Sequence, residues 1–242
     1  MKNAPIALIM VLAALSAAPT PGQKVFEYEV TAVKRKLLLE SPDGEQQLQV
    51  GDLAHSGDIL RTGSRSSAEL SVPARAARFH LDAKTKFRLA HDRPGVLLEI
   101  ERGSLRAVFG ALPGGQDEER LVTTPSAVLA VRGTEYGVEV EKDGDTTVAV
   151  FEGTVEVRDL GGIGEVLRVG AGQSTRIRRG KQASAPQAHG LSAGDWDRGR
   201  RMTGQGQGGG QQPSGLGAGR QSGGASSRSS PSRGGGSKRH GG

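Results

Sequence analysis

From Leu121 to Val157 apolar and polar side chains alternate with a period of two, interrupted by glycine-bearing turns. Val138 and Val140 share one parity and Glu139 and Glu141 the other, and Val148 and Val150 resume the apolar series after Asp143-Gly144. Successive side chains of a strand point to opposite faces, so this pattern predicts short strands with one buried and one wet face. Asp-Gly supplies the positive φ angles of a tight hairpin, which predicts antiparallel pairing of its flanks. Gly133 and Glu152-Gly153 mark two further turns.

The rhythm extends in both directions. Strands are expected over 25–33, 37–39 and 47–50, with Pro42-Asp43-Gly44 as a turn and Lys34-Arg35-Lys36 as a solvated connection. Gly51, Gly57 and Gly63 recur at a fixed short interval, a spacing that fits solenoid coils or a compact meander and not a helix. Further strands are expected over 68–72, 76–81, 86–89, 96–100 and 104–109, then over 166–169 and 173–177. The loop 110–120, carrying Pro113-Gly114-Gly115 and Asp117-Glu118-Glu119, is placed outside the core, its acids read as solubilising. No stretch has the period of an amphipathic helix. The fold expected is therefore all-β, with short antiparallel strands and hairpins in a solenoid-like or packed-sheet domain over 24–180.

After Gly180 the composition turns to Gln, Ala, Ser, Pro and Gly, then to a Gly/Ser/Arg-rich tail. Ordering a residue costs about 1–2 kcal/mol of backbone entropy, which so few apolar side chains cannot offset, so 181–242 is expected to be disordered. Trp196, between Asp195 and Asp197, is the one feature there able to dock on something. The tail also accounts for the chain's charge. From Arg198 onward there are seven Arg, one Lys and no acid, which exceeds the net +6 of the whole chain. The body is net acidic, so a nucleic-acid-binding face is not expected. The tail has no aromatic side chain for base stacking either, and loose contact with anionic envelope polymers suits it better.

The N-terminus reads as a secretory signal. Lys2 precedes an apolar run from Ile6 to Leu15 and the small residues Ser16-Ala17-Ala18. Cleavage after Ala18 is expected, since the run is shorter than the about 20 residues of a spanning helix. No later segment is long and apolar enough to span. With no cysteine in the chain, disulfides, thiolate metal sites and a cysteine nucleophile are excluded.

Three motifs suggest chemistry. Gly190-Leu191-Ser192-Ala193-Gly194 matches the G-x-S-x-G nucleophile elbow, with His189 and Asp195 alongside, but it follows linker-like sequence where the mechanism needs a strand running into a helix. Gly204-Gln205-Gly206-Gln207-Gly208-Gly209 matches G-x-G-x-x-G without the strand and helix that a nucleotide site requires. His80 and Asp82 share one side of a strand and His55 and His91 could join them, yet no second ligand pair stands at a recognisable spacing. No catalytic residue, metal ligand or cofactor is assigned.

The run Thr124-Pro125-Ser126-Ala127-Val128-Leu129-Ala130-Val131-Arg132-Gly133-Thr134-Glu135-Tyr136, with Phe151-Glu152-Gly153-Thr154-Val155 and Ala171-Gly172-Gln173, resembles the FecR domain. Gly57-Asp58-Ile59-Leu60-Arg61-Thr62-Gly63-Ser64 is similar to that family's upstream signature, and together the matches span most of 46–178. The resemblance implies an all-β domain that works by protein contact. Its best-known members are membrane-anchored anti-sigma regulators, whose cytoplasmic segment holds a sigma factor while the periplasmic domain senses an outer-membrane iron-siderophore receptor. Here no such segment precedes the apolar run, so neither sigma regulation nor iron uptake is carried over. The signature residues Gly57, Asp58, Thr62, Gly63, Thr124, Pro125, Arg132, Gly133, Thr134, Glu152, Gly153, Gly172 and Gln173 are read as structural. Arg132 is expected to pair with a carboxylate such as Glu135 or Glu152, because a buried lone guanidinium would be prohibitive. The function expected is that of a non-enzymatic protein-recognition module, periplasmic or secreted, in a Gram-negative-type envelope. Binding to cell-wall or surface polysaccharide is the alternative, and a serine hydrolase using Ser192 a third reading.

Overall fold

The computed structural model describes residues 26–42, 44–89, 94–112, 118–162 and 164–199. The signal-peptide assignment, the tail from 200, Pro113-Gly114-Gly115 and His91 lie outside these residues. In chain order come β1 (Glu27–Lys34), β2 (Leu37–Ser41), β3 (Gly44–Leu48), β4 (Leu53–His55), β5 (Ile59–Thr62) and β6 (Ser67–Val72). A 3-10 turn at Pro73–Arg75 leads to β7 (Ala77–Leu81), β8 (Lys86–Leu89), β9 (Val96–Phe109), β10 (Arg120–Thr123), β11 (Ala127–Val131) and β12 (Glu135–Val140). The last elements are β13 (Thr146–Glu152), β14 (Thr154–Asp159), β15 (Leu167–Gly170), β16 (Gln173–Ile177), β17 (Gln187–Ala188) and the helix α1 (Ala193–Asp197). The all-β expectation holds, and no helix of the described residues is long and apolar enough to cross a membrane.

The pairings build two sheets. One runs β4-β1-β6-β7-β9-β12-β13-β16-β17. The other runs β3-β2-β5-β8-β9-β10-β11-β14-β15. Every pairing is antiparallel except β9 with β10. The chain passes repeatedly between the sheets, so both lengthen together in a solenoid-like progression.

β9 belongs to both sheets. Its first half pairs with β8 up to Arg102, and its second half pairs with β7 and β12 from Gly103 to Phe109. The sequence pattern predicts two strands broken at Gly103; the structure instead has one strand of 14 residues that changes sheet there. Gly103 has φ +99°, and a Cβ on it would lie 2.5 Å from the Thr85 Cα, so only glycine allows the strand to bend past the β7–β8 corner.

The sheets enclose one apolar cluster, to which both contribute alternate residues. Ala68, Leu70 and Val72 of β6 face it with Ala77, Phe79 and Leu81 of β7, and Leu60 of β5 with Phe87 and Leu89 of β8. The Tyr28 hydroxyl crosses between sheets to donate to the Leu97 carbonyl at 2.5 Å. Alternation fails where a strand is covered on both faces: Val96, Leu97 and Leu98 of β9 are buried in succession, as are Val148, Ala149 and Val150 of β13, with Gly137 buried on the strand beside β13. The outer face at Gly137 and β13 is covered by residues 181–199.

That cover corrects the boundary expected at Gly180. Residues 181–199 are folded: β17 pairs with β16, and α1 lays the fully buried Trp196 onto Gly137. The Trp196 Nε1–H donates to the Leu105 carbonyl at 3.2 Å, and its ring meets Phe151 edge-on at 6.0 Å between centroids. Arg106 grips both Asp197 carboxylate oxygens at 2.8 Å. Linker-like composition misleads here because a single indole in a fitted notch supplies the apolar area that the segment otherwise lacks.

Candidate functional site

The signature residues collect at the corners where the chain changes sheet. Arg132, Gly133 and Thr134 join β11 in one sheet to β12 in the other, and Gly153 joins β13 back to β14. The two corners lie against each other. The buried Thr134 Oγ1 donates to carbonyls of Arg132 and Thr154 at 3.1 and 3.0 Å. Gly153, at φ +77°, would carry a Cβ 2.5 Å from the Gly133 carbonyl oxygen. Arg132 and Glu152 are both exposed. Glu135 accepts from Arg106 at 2.8 Å, and with Arg132 exposed the premise of a buried guanidinium there does not hold.

The upstream signature occupies a second pair of corners, β5 to β6 and β7 to β8. Thr62, buried, accepts from the Thr85 N–H at 2.9 Å and donates to the Asp82 carbonyl. The Gly63 carbonyl accepts from Lys84, and Gly57 donates to the Leu89 carbonyl. Asp58 Oδ2 accepts from the His55 N–H at 2.8 Å. Thr124 ends β10 by accepting from the amides of Ser126 and Ala127, with Thr146 donating to it at 2.9 Å. Pro125 packs beside the Asp143-Gly144 turn. Gly172 donates to Val150 and accepts from His189, while Gln173 Oε1 accepts from the Gly170 N–H at 3.0 Å.

Beside the Arg132–Thr134 corner the sandwich ends in two buried arginines, 4 % and 3 % exposed, that the sequence reading did not single out. Arg75 binds the Glu118 carboxylate and the Glu119 carbonyl, with its guanidinium 5.2 Å from the Phe26 ring centre. The acids of the 110–120 loop thus include a structural one. Arg120, placed by the sequence at the end of that loop, starts β10 instead. Its Nη1 donates to the carbonyls of Gly110 at 2.7 Å and Arg75 at 3.2 Å, and its guanidinium lies 5.2 Å from the Phe109 ring centre. Both Nε atoms are buried without a hydrogen-bond partner, as is the Tyr136 hydroxyl.

Burial lowers the pKa of both arginines from the usual guanidinium range, and for Arg120 the positive charges of Arg75 and Arg132 add to the effect. Burial also pushes the Tyr136 phenol well above its ordinary range. A groove of about 940 Å³ opens at this end, with Gly110, Leu112, Arg120, Arg132, Gly153 and Arg168 among its walls. The one sequence signal for Arg120 is parity: it lies two residues before the buried Val122 and shares its face.

The hydrolase-like string has other employment. Ser192 Oγ accepts from the Asp195 N–H at 3.1 Å and donates to its carboxylate at 2.7 Å, closing a capping box at the start of α1. His189 Nδ1 accepts from the Leu191 N–H, which leaves Nε2 protonated toward the Val150 carbonyl at 3.1 Å. Neither imidazole nitrogen is bonded to Ser192. Among the described residues no group of three or more His, Asp or Glu is placed to hold a metal ion.

Residues 58–156 match the family described as FecR protein, from Asp58 in β5 to Glu156 in β14. No curated protein matches. Two crystal structures of a candidate anti-sigma factor from Parabacteroides distasonis ATCC 8503, at 1.65 and 2.50 Å resolution, are similar at 18% identity and a TM-score of 0.45. The similarity covers 54% of this chain and 59% of theirs, so this chain spans less than two thirds of those neighbours.

Proposed function

On the premise that this chain carries a FecR domain at residues 58–156, we propose that it is a non-enzymatic recognition module of a Gram-negative-type bacterial envelope, periplasmic or secreted, that binds another protein. The observation that carries this reading is the edge strand β15. Among the described residues it pairs only with β14, so apart from the Gly170 N–H, which donates to Gln173 Oε1, its outer backbone groups are open to a partner strand. Leu160 and Val166, 49% and 46% exposed, flank it. An extended segment added to such an edge gains main-chain hydrogen bonds, and apolar side chains beside it select the partner. We assign the signature residues a structural role at the sheet-to-sheet corners.

Crosslinking and pull-down from intact envelopes tests the proposal. Wild type should capture a discrete protein, and Arg168→Pro, which removes an edge N–H, should capture much less. Equal capture by both would remove the edge from the mechanism. The basic tail supports a second reading, attachment to anionic cell-wall glycan. Sedimentation with purified cell wall at low and high salt separates the two, since only the electrostatic contact is lost steeply with salt.

A further inference from the structure

The groove beside the Arg132–Thr134 corner contains a guanidinium that no carboxylate of the described residues pairs with. Arg120 is 3 % exposed, and its hydrogen bonds go to the carbonyls of Gly110 and Arg75. Carbonyls satisfy N–H groups but do not neutralise a charge. Among the described residues that line the groove the carboxylates are engaged or exposed: Glu118 is held by Arg75, Glu156 by Arg168 at 3.0 Å, and Glu119 is exposed. Arg75 and Arg132 add positive field at Arg120. A buried cation among like charges is costly unless an anion joins it.

We propose that this groove is a carboxylate-recognition subsite, which seats an aspartate or glutamate side chain of an extended partner segment against Arg120. The proposal rests on the protein-recognition reading above and supplies its chemistry. Three features select a carboxylate side chain. Arg120 lines the groove, and a guanidinium–carboxylate contact in such a desolvated site is among the stronger hydrogen-bonded pairs. Glu118, Glu119 and Glu156 also line the groove, so a dianion such as phosphate meets repulsion that a single charge can tolerate. Ala111, Leu112, Ala130 and Val131 supply apolar wall for the hydrocarbon part of the side chain. The far wall, Glu156 and Arg168, belongs to β14 and β15, so a segment added along the β15 edge passes this groove.

The test is an amide chemical-shift titration of the full-length ¹⁵N-labelled protein with acetyl-Val-Glu-Val-amide, acetyl-Val-Gln-Val-amide and inorganic phosphate. The glutamate peptide should shift Gly110, Arg132 and Gly133, the glutamine peptide should not, and phosphate should compete weakly. Arg120→Gln should weaken the glutamate peptide at least about tenfold, with Arg120→Lys recovering part of the loss. Ala111→Trp, at an exposed position, should block the groove with Arg120 in place. Should Arg120→Gln fail to fold, the Glu/Gln contrast and Ala111→Trp decide. Equal shifts by both peptides, tighter binding of phosphate, or no movement at the groove would each overturn the subsite. Equal shifts confined to Arg168–Gly170 would overturn it while leaving the β15 edge reading intact; groove shifts with none at β15 would do the reverse.

Discussion

Gly153 and Gly133 face each other across one pair of corners, yet alanine should be tolerated very differently at the two. A Cβ at Gly153 would lie 2.5 Å from a backbone carbonyl, which cannot move without shifting Thr134, whereas a Cβ at Gly133 meets nothing within 4 Å. Chemical denaturation should show Gly133→Ala costing about 1 kcal/mol, the ordinary left-handed penalty, and Gly153→Ala about 3 kcal/mol. Tyr136 supplies a second residue-scale prediction. Its hydroxyl is buried with no partner, so Tyr136→Phe should stabilise by about 1 kcal/mol. Folded Tyr136 keeps its proton where the unfolded phenol, with a pKa of about 10, loses it. The native state therefore binds more protons above about pH 10, and stability falls as pH rises through that range. Tyr136→Phe should flatten that decline in melts at increasing pH. At this scale the glycine positions are visible in the sequence as turn signals. What each glycine faces is not, because it depends on a second corner some twenty residues away.

The element with the least sequence signal is the segment from 181 to 199. It has no strand alternation or helical period, and it is held by one indole, the short β16–β17 pairing and the Arg106–Asp197 ion pair. A chain ended after Gly199 should melt like the full-length protein, whereas one ended after Gly180 should be destabilised by about 3 kcal/mol or more, as should Trp196→Ala. Gly137→Ala should force the indole out of its notch, since the added methyl would overlap the ring. Trp196 is the only tryptophan, so its emission should shift to the red in that variant. If the Gly180 truncation kept full stability, the segment would be an ornament and not part of the fold. Most of the strands are legible in the sequence, because strands such as β6 and β7 bury alternate residues. β9 was not read as one strand, since a glycine that breaks an isolated strand also permits one strand to serve two sheets.

For the whole molecule, one strand common to both sheets and one apolar cluster predict a single cooperative unfolding transition, the same by circular dichroism and by Trp196 fluorescence. Two separated transitions would mean that the sheets fold independently on either side of Gly103. The sequence by itself determined the all-β class, most strand positions, the Asp143-Gly144 hairpin and the resemblance to FecR, because these follow from alternation, turn chemistry and short motifs that act over a few residues. Only the tertiary structure decided which turns are hairpins and which are corners, where Trp196 docks, and that Arg75 and Arg120 meet beside the Arg132–Thr134 corner. Those facts come from strands far apart in the chain, and a guanidinium's burial, partners and charge depend on what the other sheet brings to it.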